Sequence, residues 1–391
     1  MNQKTVSGDK PKLVWIDIMK GILILLMVLG HTYVAYKEFI YLFHMAVFFM
    51  ISGYCWSEKH SHDARSIGKY IVQRIVRLYV PFVLINVTFI LLNNIFITTG
   101  IYSNSTEFIV LTNGTPVKQY LAEYYSVSHV VKAIIRTLCF AGGSAKLCGA
   151  TWFLSTLFVM SVFHCIMSWI IEKLKLKKEV VFSIIIVLCL IWAWIVDIGV
   201  VKTIGAIDRF PSAYSAYLGG VLIKLLEKNP NWKKKSHTDK PVTVLLSMVA
   251  SMAVLIVFYL IGFHIELASS KITNPFGYAL VSICGWVLIK GIAVFLSKNK
   301  ASVKMLGYLG SRTIPILLFH TLSFKIVSLI YLNISRGNML LLASYPVIFN
   351  TYEWLKYIYL LVGIAIPLII YEPYYRGKVF LKQKLEKAKG R

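Results

Sequence analysis

Ten long apolar runs constrain this chain more than any other feature of it. They lie at about 13–36, 39–56, 78–98, 150–171, 180–200, 204–226, 241–263, 275–297, 306–333 and 353–375. An apolar run of about 20 residues, wound as a helix, matches the hydrocarbon thickness of a bilayer. The runs are continuous and do not alternate apolar with polar, which argues for helices over barrel strands. Composition agrees: 57% of residues are hydrophobic, 15% are charged, and the mean hydropathy is +0.68. The expected fold is therefore all-α, a polytopic transmembrane helix bundle of about ten spans. The sixth run is the weakest, because Asp208, Arg209 and Pro211 sit at its start. The first run follows a basic tail, lacks a small-residue exit and carries internal charges. It reads as a permanent helix and not as a cleaved signal.

The net charge of +25, from 42 basic and 17 acidic residues, would suggest nucleic acid in a soluble chain. Here the distribution favours another origin. Segments between runs fall into two alternating sets, which carry 28 and 9 Lys plus Arg. The poorer set contains the longest loop. Cytoplasmic loops collect Lys and Arg, so both termini are expected in the cytoplasm. The expected organisation is a cytoplasmic tail at 1–12, a transmembrane domain at 13–375 with an outer loop region at 99–149, and a basic cytoplasmic tail at 376–391. The outer region is too long for a bare connection and is expected to fold over the outer mouth. It holds two glycosylation-type triplets, Asn104-Ser105-Thr106 and Asn113-Gly114-Thr115. Cys139 and Cys148 flank a polar part of it and are candidates for pairing in an oxidising space. The six cysteines show no metal-ligand spacing, and no metal is expected.

Several ionisable residues interrupt the apolar runs. Such groups in a membrane usually face a bundle interior and mark function. The first run carries Asp17, Lys20 and, at its end, His31. Lys20 and His31 are eleven residues apart, about three helical turns, so they share a face with Asp17. A structural alternative is an i, i+3 bridge between Asp17 and Lys20. His44 opens the second run after a short turn, which puts it near the same mouth as His31. Two histidines at one mouth suggest proton handling. Lys69, Arg74 and Arg77 form a basic cluster before the third run. Guanidinium forks suit phosphate oxygens, although anionic lipid would account for the cluster too. The ninth run carries Arg312, His320 and Lys325, with Pro315 loosening the backbone before the histidine. Glu372 and Lys356 sit near the ends of the tenth and read as structural.

In order along the chain these residues resemble the integral-membrane acyltransferase-3 family. Its opening motif, a basic residue, ten others and a histidine, stands here as Lys20 and His31. The segment FHMAVFFMISGY follows at 43–54, then Arg74 and Arg77 with Pro81 behind them. Trp152-Phe153-Leu154 comes next, and Leu309-Gly310-Ser311 with His320 closes the set in looser form. The order and spacing fit across roughly residues 12–335, and the segment 39–56 is most similar to the fucose 4-O-acetylase-like branch. Sixteen residues remain after the tenth run, so a stand-alone form without an extracytoplasmic SGNH hydrolase-like domain is expected.

The resemblance implies an O-acetyltransferase of the cell membrane, moving acetyl from cytoplasmic acetyl-CoA to a hydroxyl of a surface glycan or lipid-linked sugar. It assigns catalysis to His31, as general base, with His44 and His320 beside it. Donor binding falls to Lys20, Arg74, Arg77 and Lys69, with Asp17 pairing one of these cations. Asp17 is roughly 21 Å from His31 along the helix and is no triad partner. Trp152 and Arg312 are assigned to substrate binding. Rival readings are a secondary transporter with an intramembrane polar site and a CoA-binding partner of a glycan synthase. Against the transporter, the two halves show no repeated pair of interrupted helices.

Overall fold

The computed structural model describes residues 13–105, 117–140, 145–200, 205–230, 241–269, 271–348 and 352–389. The second glycosylation-type triplet and Thr106 of the first lie outside these residues. The chain is helical nearly throughout. Helices α1 (Val14–Gly30), α2 (Lys37–Tyr41) and α3 (His44–Tyr54) are followed by α4 (Ala64–Arg74) and α5 (Val80–Leu91). After α6 (Asn93–Thr98) and α7 (Val127–Leu138) come the long helices α8 (Trp152–Lys173), α9 (Lys178–Asp197) and α10 (Gly205–Lys228). The remainder is α11 (Pro241–Leu260), α12 (Pro275–Leu296), α13 (Lys300–Ser311), α14 (Thr313–Ser335) and α15 (Glu353–Lys389). One short antiparallel hairpin, β1 (Ile265–Glu266) with β2 (Lys271–Ile272), joins α11 to α12.

Among the described residues, seven helical segments are long and apolar enough to cross a membrane. The expected first, second and sixth spans fall below that measure. Helix α1 has 17 residues and α3 has 11, while α10, with 24, is long enough but not apolar enough. The reason is position. Lipid selects for length and unbroken hydrophobicity only on helices that touch it. Only 11% of the span in α11 and 17% of that in α9 is buried inside the protein, against 61% for α14. Those two are peripheral. Helix α3 is interior, with Val47 and Phe49 wholly buried, and α1 likewise buries Ile18, Leu23, Ile24 and Val28.

The expected cytoplasmic loop 57–77 is largely helix. Asp63 caps α4 by accepting the Ser66 N–H at 2.7 Å. The helix then continues through a π turn, Ile75–Tyr79, into α5, and Ala64–Leu91 forms a single candidate span. Pro81 explains the π turn, because it lacks an N–H and its ring opposes the preceding carbonyls. Arg74 immediately precedes this turn and is half-buried, whereas Arg77 lies within it and is exposed.

Two helix crossings hold the centre. A Cβ on Gly21 would stand 2.2 Å from the Leu306 carbonyl oxygen, and one on Gly310 would stand 1.8 Å from that of Asp17. These contacts lock α1 to α13. A Cβ on Gly53 would meet the Tyr217 carbonyl oxygen at 1.9 Å, and one on Gly220 that of Met50 at 1.9 Å, which locks α3 to α10 in the same way. Between helices surrounded by lipid, close backbone approach through small residues supplies much of the association energy. Gly310→Leu should therefore lower the melting temperature and the yield of monodisperse protein, at a cost of about 1–3 kcal/mol or more. Gly307→Leu on the same helix, where a Cβ meets nothing within 4 Å, should melt like wild type. Melting in detergent with size-exclusion profiles reads both.

Candidate active site

Where α1 ends, the chain leaves the helix at His31, and α2 and α3 return beside it. The turn brings three predicted residues to one place. His31, His44 and Trp152 all line a cavity of about 370 Å³. His320, from α14, stacks on the His31 ring with centroids 5.2 Å apart. Two interior helices and α14 thus bring three imidazoles together, with His31 and His44 on the cavity wall and His320 buried against His31.

The histidines are held differently. His44 Nδ1 lies 2.9 Å from the Ile40 carbonyl, and His320 Nδ1 lies 3.0 Å from that of Ile316. A carbonyl only accepts, so both rings carry their proton on Nδ1. Their Nε2 atoms are then lone-pair acceptors. His320 Nε2 is buried with no hydrogen-bond partner among the described residues. His31 Nδ1 instead lies 3.4 Å from the Tyr41 hydroxyl, and His31 is only half-buried. Of the three, it is the one with both ring access to the cavity and a side-chain partner.

The roof of the cavity is made of connecting segments. Lys118 and Tyr120 come from the long loop region, Tyr345 from the α14–α15 connection, and Glu266 from the hairpin. Backbone bonds join the first two segments: Tyr120 N–H donates to the Ala343 carbonyl at 2.8 Å, and Tyr345 N–H to that of Lys118 at 2.7 Å. Lys325 secures the join from below, donating from its amine to the Leu342 carbonyl at 2.8 Å and to that of Ser344. Tyr33 donates to the Tyr345 carbonyl at 3.1 Å. Burial raises the Tyr33 phenol to about 12, and burial likewise raises Tyr120 and Tyr345. These phenols stay neutral at pH 7, and Tyr33 serves as a hydrogen-bond donor.

The remaining predicted residues gather at the opposite end of α1. Lys20 pairs with Asp17 at 3.6 Å, as the i, i+3 spacing allows. Arg74 lies over the Tyr70 ring at 4.7 Å, and Lys69 and Arg77 are exposed. Near them Glu227 accepts from the Tyr54 hydroxyl at 2.6 Å and pairs with Lys290. None of Asp17, Lys20, Lys69, Arg74 and Arg77 lines the cavity. Arg312 does not line it either. It pairs with Glu372 at 3.0 Å and packs between the Tyr308 and Tyr375 rings, at 3.8 and 4.5 Å. Cys139 and Cys148 are both free thiols, the second buried. Among the described residues, no cluster of three or more His, Cys, Asp or Glu stands ready to hold a metal.

An acyltransferase domain model matches residues 13–372, nearly the whole chain. The chain belongs to the acyltransferase-3 family. No curated protein and no solved structure matches it. Membership and the apolar helices together make it a multi-pass membrane acyltransferase, which sets the transporter reading aside. In this acyltransferase the histidine cavity is the candidate active site. Sequence reasoning missed Tyr41, Lys118, Arg209, Glu266 and Tyr345 there. Arg209 did leave a signal, a charge within an apolar run, which registered only as a weakness of the sixth span. The loop residues left none, because their approach depends on segments more than 200 positions apart.

The surroundings of Arg312 give it a structural role. Arg312→Ala should lower the melting temperature, with a loss of roughly 1.5–3 kcal/mol for charge-assisted hydrogen bonds. The acceptor KM should stay at its wild-type value. A raised acceptor KM with unchanged melting would return Arg312 to substrate binding.

Proposed function

We propose that this acyltransferase moves acetyl from cytoplasmic acetyl-CoA to a hydroxyl of an extracytoplasmic glycan or lipid-linked sugar, in the cell membrane, with both termini in the cytoplasm. The observation that carries this reading is His31: it lines the cavity, stacks on His320 and lies within reach of Tyr41. The acceptor hydroxyl enters the cavity and its oxygen attacks the thioester carbonyl carbon. His31 takes the hydroxyl proton, a contribution of typically about 10²–10⁴-fold. The new C–O bond forms as the C–S bond breaks, and the proton passes to the leaving CoA thiolate. His320 and His44 act as positioning residues, their rings anchored to backbone carbonyls.

The donor enters at the other end of α1. Arg74, Arg77 and Lys69 receive its phosphates through charge-assisted bonds. Lys20, with Asp17 beside it, stands where the acyl arm turns along α1. From Lys20 to His31 the helix rises roughly 16 Å. The sidedness follows from the uneven distribution of Lys and Arg along the chain.

Purified protein in lipid with acetyl-CoA tests this through release of free CoA. Wild type should release CoA, and His31→Ala should lower release by about 10²–10⁴-fold. Arg74→Ala/Arg77→Ala should raise the donor KM with a smaller effect on kcat. Intact, folded protein that binds no acetyl-CoA would end the assignment of this donor.

A further inference from the structure

We infer that the cavity selects an acceptor sugar bearing an anionic group, a carboxylate or a phosphate, held by Lys118 and Arg209 against an aromatic wall. The inference rests on the acyltransferase reading, which makes this cavity the acceptor site, and narrows the acceptor to a charge class.

Charge placement is the first argument. The segments expected on the outer side carry nine Lys and Arg in all, and three of these, Lys37, Lys118 and Arg209, line this one cavity. Cations are depleted on that side of the chain, so their convergence is not explained by topology. They come from three separate segments, brought together only by the fold. One carboxylate, Glu266, lines the cavity with them, and it already accepts from the Ser269 hydroxyl at 2.6 Å. Lys37 is matched by Glu38 at 3.4 Å. Lys118 has no ion-pair partner among the described residues.

Geometry is the second argument. Lys118 lies over the Tyr345 ring at 4.6 Å, and Arg209 lies over the Trp152 ring at 5.7 Å. Ring faces hold a cation by its charge without neutralising it, so the Lys118 amine keeps donors for an anion, and Arg209 adds its positive charge to the same cavity. Tyr120 also lines the cavity, and its hydroxyl is buried without a partner among the described residues. A buried hydroxyl left unbonded is costly, and a ligand oxygen would satisfy it. The volume, about 370 Å³, lies within the usual range for small-ligand sites. Cations within low-dielectric walls also raise the local concentration of an anionic ligand.

The test is direct binding of three probes to the full chain in lipid nanodiscs, by titration calorimetry without acyl donor. Methyl glucuronide carries a carboxylate, glucose 1-phosphate carries a phosphate, and methyl glucoside is neutral. One or both acidic probes should bind about tenfold or more tightly than the neutral one, the value of one charge-assisted contact. Which of the two does so tells a carboxylate from a phosphate. The preference should weaken as salt rises. Arg209→Gln and Lys118→Gln should each reduce the acidic-over-neutral ratio, and Arg209→Lys should restore part of it. Lys118 is exposed, so its variant reads the charge effect even where Arg209→Gln misfolds. Equal binding of all three probes, no binding of either acidic probe, or an undiminished ratio in folded Lys118→Gln would overturn the inference. These readouts do not depend on CoA release, so failure of the donor assignment and failure of the charge preference are told apart.

Discussion

The crossing of α1 with α13 is the contact on which the rest of the architecture depends. Asp17 presents its backbone carbonyl where any side chain on Gly310 would stand, and Leu306 does the same at Gly21. In lipid there is little hydrophobic gain from bringing two helices together, so association relies on close backbone packing. The contact fixes the rotation of α1 about its axis. With that rotation set, His31 emerges at one end facing His320, and Lys20 and Asp17 lie at the other. The reciprocal glycine contacts between α3 and α10 perform the same task for His44 and Arg209.

Most polar groups described in the bundle are matched to a local partner, and the type of partner differs by location. At the lower end of α1 the partners are mostly ions and aromatic rings, as with Lys20 and Asp17 or Arg74 and Tyr70. Arg312 is fully engaged by Glu372 and two tyrosines. At the cavity the partners are weaker or missing. The Tyr120 hydroxyl there has none among the described residues, as is also true of His320 Nε2 and of the Tyr70 and Tyr217 hydroxyls away from the cavity wall. Unsatisfied groups are rare in native interiors, and the Tyr120 hydroxyl is one such group on a residue of the cavity wall.

The cavity roof shows how connecting segments obtain enough rigidity to build a site. Residues 117–121 and 343–345 come from connections without long helices, yet backbone bonds join them and the Lys325 amine holds the second from within α14. An amine buried to 3% exposure is costly unless its donors are satisfied, and here two carbonyls satisfy it. That investment makes sense for a segment that places Tyr345 opposite the histidines.

By itself, the sequence determined the class of fold and the acyltransferase family. Ranges of apolar residue dictate helices, because no other lipid-exposed backbone satisfies its own polar groups. Helical periodicity placed Lys20 and His31 on one face, and the motif order pointed to His44, Arg74, Arg77, Trp152 and His320. Which helices face lipid was not legible, since α1 and α3 are apolar but interior and escape the length rule that governs the periphery, and α10 is long but less apolar than the peripheral helices. The π turn before Pro81, which begins after Arg74 and contains Arg77, was also beyond periodic reasoning. Only the tertiary structure decided that His31 stacks on His320, that Arg312 turns to Glu372, and that Lys118, Arg209 and Tyr345 meet at one cavity. Local pattern reports on neighbours one or two turns away, whereas these contacts join residues far apart in the chain, and their positions depend on how closely the glycine-lined helices approach.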